Sequence, residues 1–422
     1  MKRMYKIGAS LIAATFALTA CGGGGGGDTT AASNEDPASL ETTIKVLAPS
    51  YSESSKSDWE AIIKKFNEKY PKVKVELQIE GWDDFTSKVQ ARIQAKDYPD
   101  ILNDNAYAAA GEGGLLYPMD EMLDKETLAS IEPALLANGK GKDGTQWAAP
   151  DVASSRMLAY NTTLFEKAGI KEAPKTWADL EQDAMKVSKL GNSVYGYGMP
   201  LGREEAQVES SLWLWGAGGS WVDGEKLVAN SPKAVEAYTE MKKLIDANAV
   251  QPNSGSTNRQ QAVDLWNNGK LGMLLMHTGL LATTDKDFPN VKYKLAPVPS
   301  KDGKPVAFGV TDFLLAFNNQ DAKRKQATSA FLNMFYSDEV YSKWYKPTGL
   351  MPVTTSQITA ATKDAGHFAP FYDALKVVKF EPVGNPEWDA LKDALQGGAG
   401  KLETQDPKTV LDNIQKQVDA QG

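Results

Sequence analysis

The sequence predicts an α/β protein. From Thr43 onward the spacing of apolar residues switches between two, the period of a strand, and 3.6, the period of a helix. The first such segments run strand, helix, strand, helix, strand. Length sets the number of lobes: 422 residues exceed the ~250 to 300 that one hydrophobic core usually serves, so two are expected.

Each element has its own signal. Ile44, Val46 and Leu47 begin a buried strand. Trp59, Ile62, Ile63 and Phe66 share one helical face, with Lys64, Lys65 and Glu68 turned to water. Val73, Val75, Leu77 and Ile79 alternate with polar residues, which is the pattern of a half-buried strand. Phe85, Val89 and Ile93 stack at intervals of four on a second helix, and a short strand is expected at Asp100 to Asn103. Crossovers of this length join parallel strands through right-handed connections, with helices on the sheet faces. Further strands are predicted at Met157 to Tyr160, Tyr195 to Met199, Leu271 to Met276, Tyr293 to Pro297 and Thr311 to Phe317. Helices are predicted at Trp177 to Leu190, Glu204 to Trp215, Pro232 to Ala247, Arg259 to Asn267 and Ala322 to Tyr336. Near the C-terminus, Pro386 and Pro407 each suit the first position of a helix.

The N-terminus is of a different kind. Lys2, Arg3 and Lys6 precede an apolar run of 12 residues, Ile7 to Leu18, which falls short of the ~20 that span a bilayer as a helix. Residues 1–20 therefore read as an export signal. Its end, Leu18-Thr19-Ala20-Cys21, resembles a bacterial lipobox, which makes the chain's one cysteine, Cys21, the expected lipidation site and membrane attachment point. Residues 21–41, opening with Gly22 to Gly27, have the composition of a flexible tether. Loss of the signal removes three positive charges and changes the formal charge from −8 to −11.

Composition and motifs exclude most chemistry. With 46 Lys and Arg against 54 Asp and Glu, the chain has the wrong sign for a phosphate backbone, so no nucleic-acid partner is expected. His277 and His367 are the two histidines, and no HExxH or cysteine pattern accompanies them, so no metal site is expected. There is no GxSxG elbow and no GxxxxGK[ST] loop, and Gly216-Ala-Gly-Gly-Ser reads as a turn rather than a dinucleotide loop. No catalytic residue and no cofactor are expected. The ten tryptophans point instead to binding. A pyranose has apolar C–H faces and a rim of hydroxyls, so its receptor needs flat aromatic surfaces with carboxylates or amides beside them. In open α/β sheets a ligand lies beyond the C-terminal ends of the strands. Ser50-Tyr51-Ser52-Glu53, Asp104-Asn105 and His277-Thr278 are predicted there.

Several stretches resemble one family. Tyr98-Pro-Asp-Ile-Leu, Tyr160-Asn-Thr-Thr-Leu-Phe-Glu-Lys-Ala-Gly, Pro174-Lys-Thr-Trp-Ala-Asp-Leu, Gly269-Lys-Leu-Gly-Met, Phe331-Leu-Asn-Met-Phe-Tyr-Ser-Asp and Thr348-Gly-Leu-Met-Pro look like the extracellular solute-binding proteins of ATP-driven (ABC) sugar importers, the maltodextrin-binding-like group. The matches follow the family's order from about residue 43 to the C-terminus. The resemblance implies a two-lobe, periplasmic-binding-protein-like (Venus-flytrap) fold with discontinuous lobes joined by a hinge. On that pattern lobe 1 comprises 42–153 and 310–349, and lobe 2 comprises 154–309 and 350–422. It also implies a monomer that clamps its ligand between the lobes and delivers it to a permease in the membrane.

The same resemblance nominates site residues. Trp388 matches a ligand-stacking aromatic, favoured over the alternative of a core residue covering Leu391. Asp104 and Asn105, with Tyr107 beside them, match residues lining the cleft, while Asp104 would also suit a helix cap. Tyr51 and Glu53 match the first loop, and His277 matches a contact position. From the residues themselves, Trp215 is favoured over Trp213 as a cleft aromatic. Asp312 needs a partner if buried among apolar neighbours. Ser154 flanks a crossing, and Arg156 beside it would suit an ion pair. Trp82, Trp177 and Trp266 are assigned to packing. The expected function is a lipid-anchored receptor for a neutral mono- or oligosaccharide, with a cationic or other non-sugar solute as the alternative and a surface glycosidase as the weakest rival.

Overall fold

The computed structural model describes residues 37–420, apart from 225, 376 and 377 and the side chains of 83 and 84. Cys21, the export signal and residues 21–36 of the expected tether lie outside them. The last tether residues do not behave as one: Pro37–Ser39 form a 3₁₀ turn, and Leu40 is buried with Ile44 and Trp59. Composition up to Pro37 misled here because a single leucine suffices to anchor a chain end to an adjacent core.

Eleven strands form among these residues. They are β1 (Thr42–Pro49), β2 (Val73–Glu80), β3 (Ile101–Asp104), β4 (Ala149–Asn161), β5 (Tyr195–Tyr197), β6 (Val222–Asp223), β7 (Lys226–Leu227), β8 (Leu271–Met276), β9 (Tyr293–Ala296), β10 (Ala307–Ala316) and β11 (Val378–Lys379). Strands β6 and β7 make a small hairpin, and the other nine form one sheet in the order β2-β1-β3-β10-β4-β8-β5, with β11 beside β10 and β9 beside β4. The opening is the predicted βαβαβ unit: β1 lies between parallel β2 and β3, joined by helices Ser55–Lys69 and Trp82–Ala95. Its first helix buries Trp59, Ile62 and Phe66, the face that the 3.6 spacing marks.

Two strands run through both ends of the sheet. β10 pairs antiparallel with β3 from Phe313 to Ala316 and with β4 from Phe308 to Leu314. The far end of β4 pairs antiparallel with β8 and β9. At 13 residues β4 is far longer than the predicted Met157 to Tyr160, and β10 starts four residues before the predicted Thr311. Residues 149–156 mix Pro, Asp, Ser and Arg and show no period of two, yet all are buried. A strand covered on both faces does not alternate, so its pattern is silent. The register shifts once, between Asp312 opposite Val152 and Phe313 opposite Pro150, which leaves Asp151 as a bulged residue.

Burial concentrates in three clusters. One joins Trp177, Trp213, Trp215, Trp221, Tyr238, Trp388 and Ile414, and a second joins Trp59, Phe66, Phe331, Phe335 and Trp344. A third packs Leu47, Phe85, Leu102 and Phe313. Helix Asp338–Thr348 ends at Gly349, whose φ of 66° suits glycine. A Cβ there would lie 3.0 Å from the Gly279 Cα, so two backbones meet closely at this point. Just beyond, Met351 and Ala153 exchange backbone hydrogen bonds of 2.8 and 2.9 Å, which ties the segment after the helix to β4.

The entry to β3 is fixed by a buried carboxylate. Asp100 is 2 % exposed and accepts from Arg324 Nε and Nη2, both at 2.8 Å, and from the Lys45 amide at 2.7 Å. Asp100→Ala would leave the guanidinium and the amide without their acceptor. We expect a loss of about 3 kcal/mol in urea denaturation; a loss below about 1 kcal/mol would mean that the pairing does not hold β3 in place.

Candidate functional site

The middle of β4 and β10, where each passes from one end of the sheet to the other, carries Asp151, Ser154, Arg156, Thr311 and Asp312. Chain ends converge on it from both sides. From β1 comes Tyr51, whose hydroxyl donates to Asp312 Oδ2 at 2.9 Å. From β3 come Asp104, 6 % exposed, and Asn105, whose amide donates to Asp104 Oδ1 at 2.7 Å. From helix Trp388–Gly398 comes Lys392, whose Nζ donates to Asn105 Oδ1 at 3.1 Å. The segment before that helix approaches equally closely, since a Cβ on Gly384 would stand 2.4 Å from the Lys140 carbonyl oxygen. Tyr107 closes this corner, its hydroxyl donating to the carbonyls of Asn138 and Lys140 at 2.6 and 2.9 Å.

Arginines and glutamates form a second group around Arg156 of β4. Arg156, 5 % exposed, pairs with Glu205 and donates to Ser154 Oγ at 3.3 Å. Arg259 bonds Glu205 at 2.9 Å and Glu204 at 2.6 Å. Burial pushes the Glu205 carboxyl up, but Arg259 and Arg156 outweigh it and hold it below the usual range. Burial and these two guanidinium groups drive His277 well below its ordinary value, so its imidazole is neutral at physiological pH. Ser211 Oγ donates to Glu381 Oε1 at 3.1 Å, and burial lifts Glu381 to about 7 against the pull of Lys392. Burial likewise raises Asp104 to about 7, with Lys392 and the Asn105 amide opposing. Asp312 is raised by burial, with the Tyr51 hydroxyl and Lys392 opposing, and Asp151 is raised well above its ordinary value by burial and by the Asp312 charge.

This is a buried polar belt of hydrogen-bonding carboxylates, amides and hydroxyls between two groups of strand ends, suited to holding a polyhydroxylated solute by non-covalent contacts. Residues 50–342 match the family described as bacterial extracellular solute-binding protein. The chain belongs to that family. Among its relatives are the diacetylchitobiose binding protein DasA of Streptomyces coelicolor, 26% identical over 373 residues (83% of this chain and 82% of DasA), and the sn-glycerol-3-phosphate-binding periplasmic protein UgpB of Brucella melitensis, 24% identical over 410 residues (85% and 88%). Among solved structures, maltose-bound MalE3 of T. maritima superposes with a TM-score of 0.76 at 20% identity, covering 90% of this chain and all of that one. The fold is the α/β periplasmic-binding-protein fold. The protein is an extracellular solute-binding protein and not an enzyme.

Within this solute-binding protein the structure brings together Tyr51, Asp104, Asn105, Ser154 and Asp312, with His277 beside the arginines. Glu53 is exposed on the loop beyond Tyr51. Two expected aromatics are not available as stacking faces. Trp388 is 2 % exposed and packs in the core with Leu391 and Ile414, and Trp215 is 7 % exposed with Phe308 stacked on it at 5.1 Å between ring centroids. Both belong to helices whose apolar side is wider than the spacing of tryptophans alone reveals. Trp82, assigned to packing from the sequence, is the reverse case: it is 37 % exposed and lies edge-on to Tyr51 at 5.6 Å. Trp177 and Trp266 are buried as expected.

Sequence reasoning missed Lys392, Glu205, Glu381, Arg259 and Asp151. Only Asp151 had a usable signal, being a carboxylate in the run Pro150-Asp-Val-Ala that would need a partner if buried. For the others, isolated charges on helices and loops look like any solvated residue.

The raised carboxyls set a pH dependence. Asp104 and Glu381 titrate at about 7 in the native state but near 3.9 and 4.3 when unfolded. Between those values the native state holds protons that the unfolded chain releases, so stability falls as pH rises from about 4 to 7, by up to about 1.4 kcal/mol per pH unit for each group. Urea midpoints measured across this range should decline, and Asp104→Asn should make the decline shallower; an unchanged slope would refute the assignment.

Proposed function

We propose that this chain is a lipid-anchored extracellular receptor that captures a mono- or oligosaccharide without acidic groups and passes it to a membrane permease. The carrying observation is the belt itself: Tyr51, Asp104, Asn105, Ser154 and Asp312 lie within one region fed by strand ends from two parts of the sheet. Hydroxyl-rich ligands need both donors and acceptors at fixed angles, and these side chains supply both. The exposed Trp82, beside Tyr51, offers a flat face for the apolar side of a sugar ring. The names of relatives point the same way, diacetylchitobiose for DasA and maltose for the T. maritima protein.

On this reading 42–153 with 310–349 and 154–309 with 350–422 move as two units about the β4–β10 crossing. Ligand then shifts an open–closed equilibrium by touching both units, and the closed form is what the permease recognises. Cys21 would hold the protein at the membrane through its lipid and the residues that follow it. An anionic solute such as glycerol phosphate fits less well, because Arg156 and Arg259 are already engaged by Glu204 and Glu205.

Titration of the purified chain with mono-, di- and oligosaccharides, followed by tryptophan fluorescence, tests this directly. A saturable response to at least one sugar is expected, with Trp82→Ala weakening it roughly tenfold. Silence across the panel would remove the saccharide reading.

A further inference from the structure

Strands β3 and β4 are not neighbours, since β10 lies between them. Asn103 of β3 stands opposite Leu314 of β10, and Asp151 is the bulged residue of β4, between Pro150 opposite Phe313 and Val152 opposite Asp312. Asn103 nevertheless reaches across: its Nδ2 donates to the Phe313 carbonyl at 3.1 Å, and its side chain acts on the Asp151 carboxyl. Both residues are 0 % exposed. Among the described residues Asp151 Oδ1, Asp151 Oδ2 and Asn103 Oδ1 have no hydrogen-bond partner. Two acceptors cannot satisfy each other unless a proton stands between them, and of these two side chains only the carboxyl can carry one there.

The groups packed around Asp151 have no donor free for it. Tyr341, on helix Asp338–Thr348, donates to the Asp151 main-chain carbonyl at 2.6 Å. Tyr336, just after helix Ala322–Phe335, donates to the carbonyls of Ala149 and Pro150 at 3.1 and 2.8 Å. Tyr51, beyond β1, donates to Asp312 Oδ2 at 2.9 Å. A phenol carries one proton, so all three hydroxyls are engaged elsewhere. The amides of Asp151 and Val152 approach the carboxyl without reaching hydrogen-bond geometry, and Asp312 is a second carboxyl that would only disfavour an ionised neighbour. A carboxylate buried here without a donor would cost more than keeping its proton.

We infer that Asp151 is a positioning residue that the folded chain holds as a neutral acid, its one proton donated to Asn103 Oδ1 so that β4 is tied to β3 across β10. The tie satisfies two buried oxygens at once and fixes the residue that precedes Asp104 and Asn105. It needs nothing from a solute. Its consequence for binding rests on the saccharide reading above: loss of the proton would free the end of β3 that carries Asp104 and Asn105 to the belt.

Infrared difference spectra of the purified full chain test this at about pH 8, where Asp104 and Glu381, which titrate at about 7, have largely lost their protons. A carbonyl stretch of a protonated carboxyl should persist in the wild type and be missing from Asp151→Asn. Isotopic labelling of aspartate carboxyl carbons should shift that band, so the wild type alone decides the matter if the variant fails to fold. No band, or a band that labelling leaves in place, overturns the inference; an ionised Asp151 served by a buried water would give that result. Stability supplies a second readout. Above about pH 8 the native chain keeps a proton that an ordinary unfolded aspartate has released, so the unfolding constant should rise by up to roughly tenfold per pH unit, and less in Asp151→Asn. An equal slope in the two proteins overturns the inference. Any sugar found to bind should bind more weakly as pH rises from about 8 to about 9.5, with a smaller change in Asp151→Asn. If the band is present but sugar affinity does not change, the proton stands and its positioning role is overturned. If the band is present and no sugar binds, the saccharide reading fails and the proton stands.

Discussion

The ladder between β4 and β10 is the constraint on which the rest depends. Phe308 to Leu314 pair with Arg156 to Ala149, so one pair of antiparallel strands belongs at once to the β1–β3 end of the sheet and to the β8–β9 end. Every functional element is placed relative to it. The β3 terminus reaches Asp312 because β10 lies next to β3, and Arg156 reaches Glu205 because β4 continues past the crossing. The bulge at Asp151 has a cost, since it removes a regular pairing and leaves a buried carboxylate without a partner. That cost falls where the polar belt is, which is where local irregularity is expected to serve binding rather than stability.

Around the ladder the protein separates two tasks. Stability comes from aromatic clusters set back from the crossing, such as Trp59 with Phe331, Phe335 and Trp344, whose ring centroids lie 4.9 to 6.3 Å apart. On the proposed reading, recognition falls to the buried carboxylates and amides at the crossing. Burying such groups opposes folding, and the raised positions of Asp104 and Glu381 are the sign of that opposition. A ligand supplying the missing donors would relieve part of it.

Legibility differed by element. The βαβαβ opening, the helix at Arg259–Asn267 and the helix that Pro407 begins were readable because each shows one clear period or cap, whereas Pro386 stands two residues before its helix rather than at its first position. The length of β4 was not, since a fully covered strand of mixed small and polar residues has no period. In the candidate site, Asp104, Asn105 and Tyr51 were nominated through their position after strands and through family likeness, and Asp312 as a carboxylate between apolar neighbours; the structure brings the four together. Trp388 and Trp215 were misjudged because a tryptophan's neighbours in space, Ile414 and Phe308 among them, lie far away in sequence. Trp82 was misjudged for the opposite reason, as nothing in its local pattern distinguishes an indole at the rim from one in the core.

By itself the sequence determined the α/β class, the order of the first strands and helices and the absence of the familiar catalytic motifs, along with the residue types available for recognition. These are local properties, carried by spacing along the chain. Only the tertiary structure decided which polar groups meet at the β4–β10 crossing, which indoles are exposed and which aspartate lost its partner. Those outcomes depend on the register between β4 and β10 and on Lys392 meeting Asn105 across 287 positions of chain. Coulomb interaction and burial act through space, and no period or motif encodes a distance of that kind.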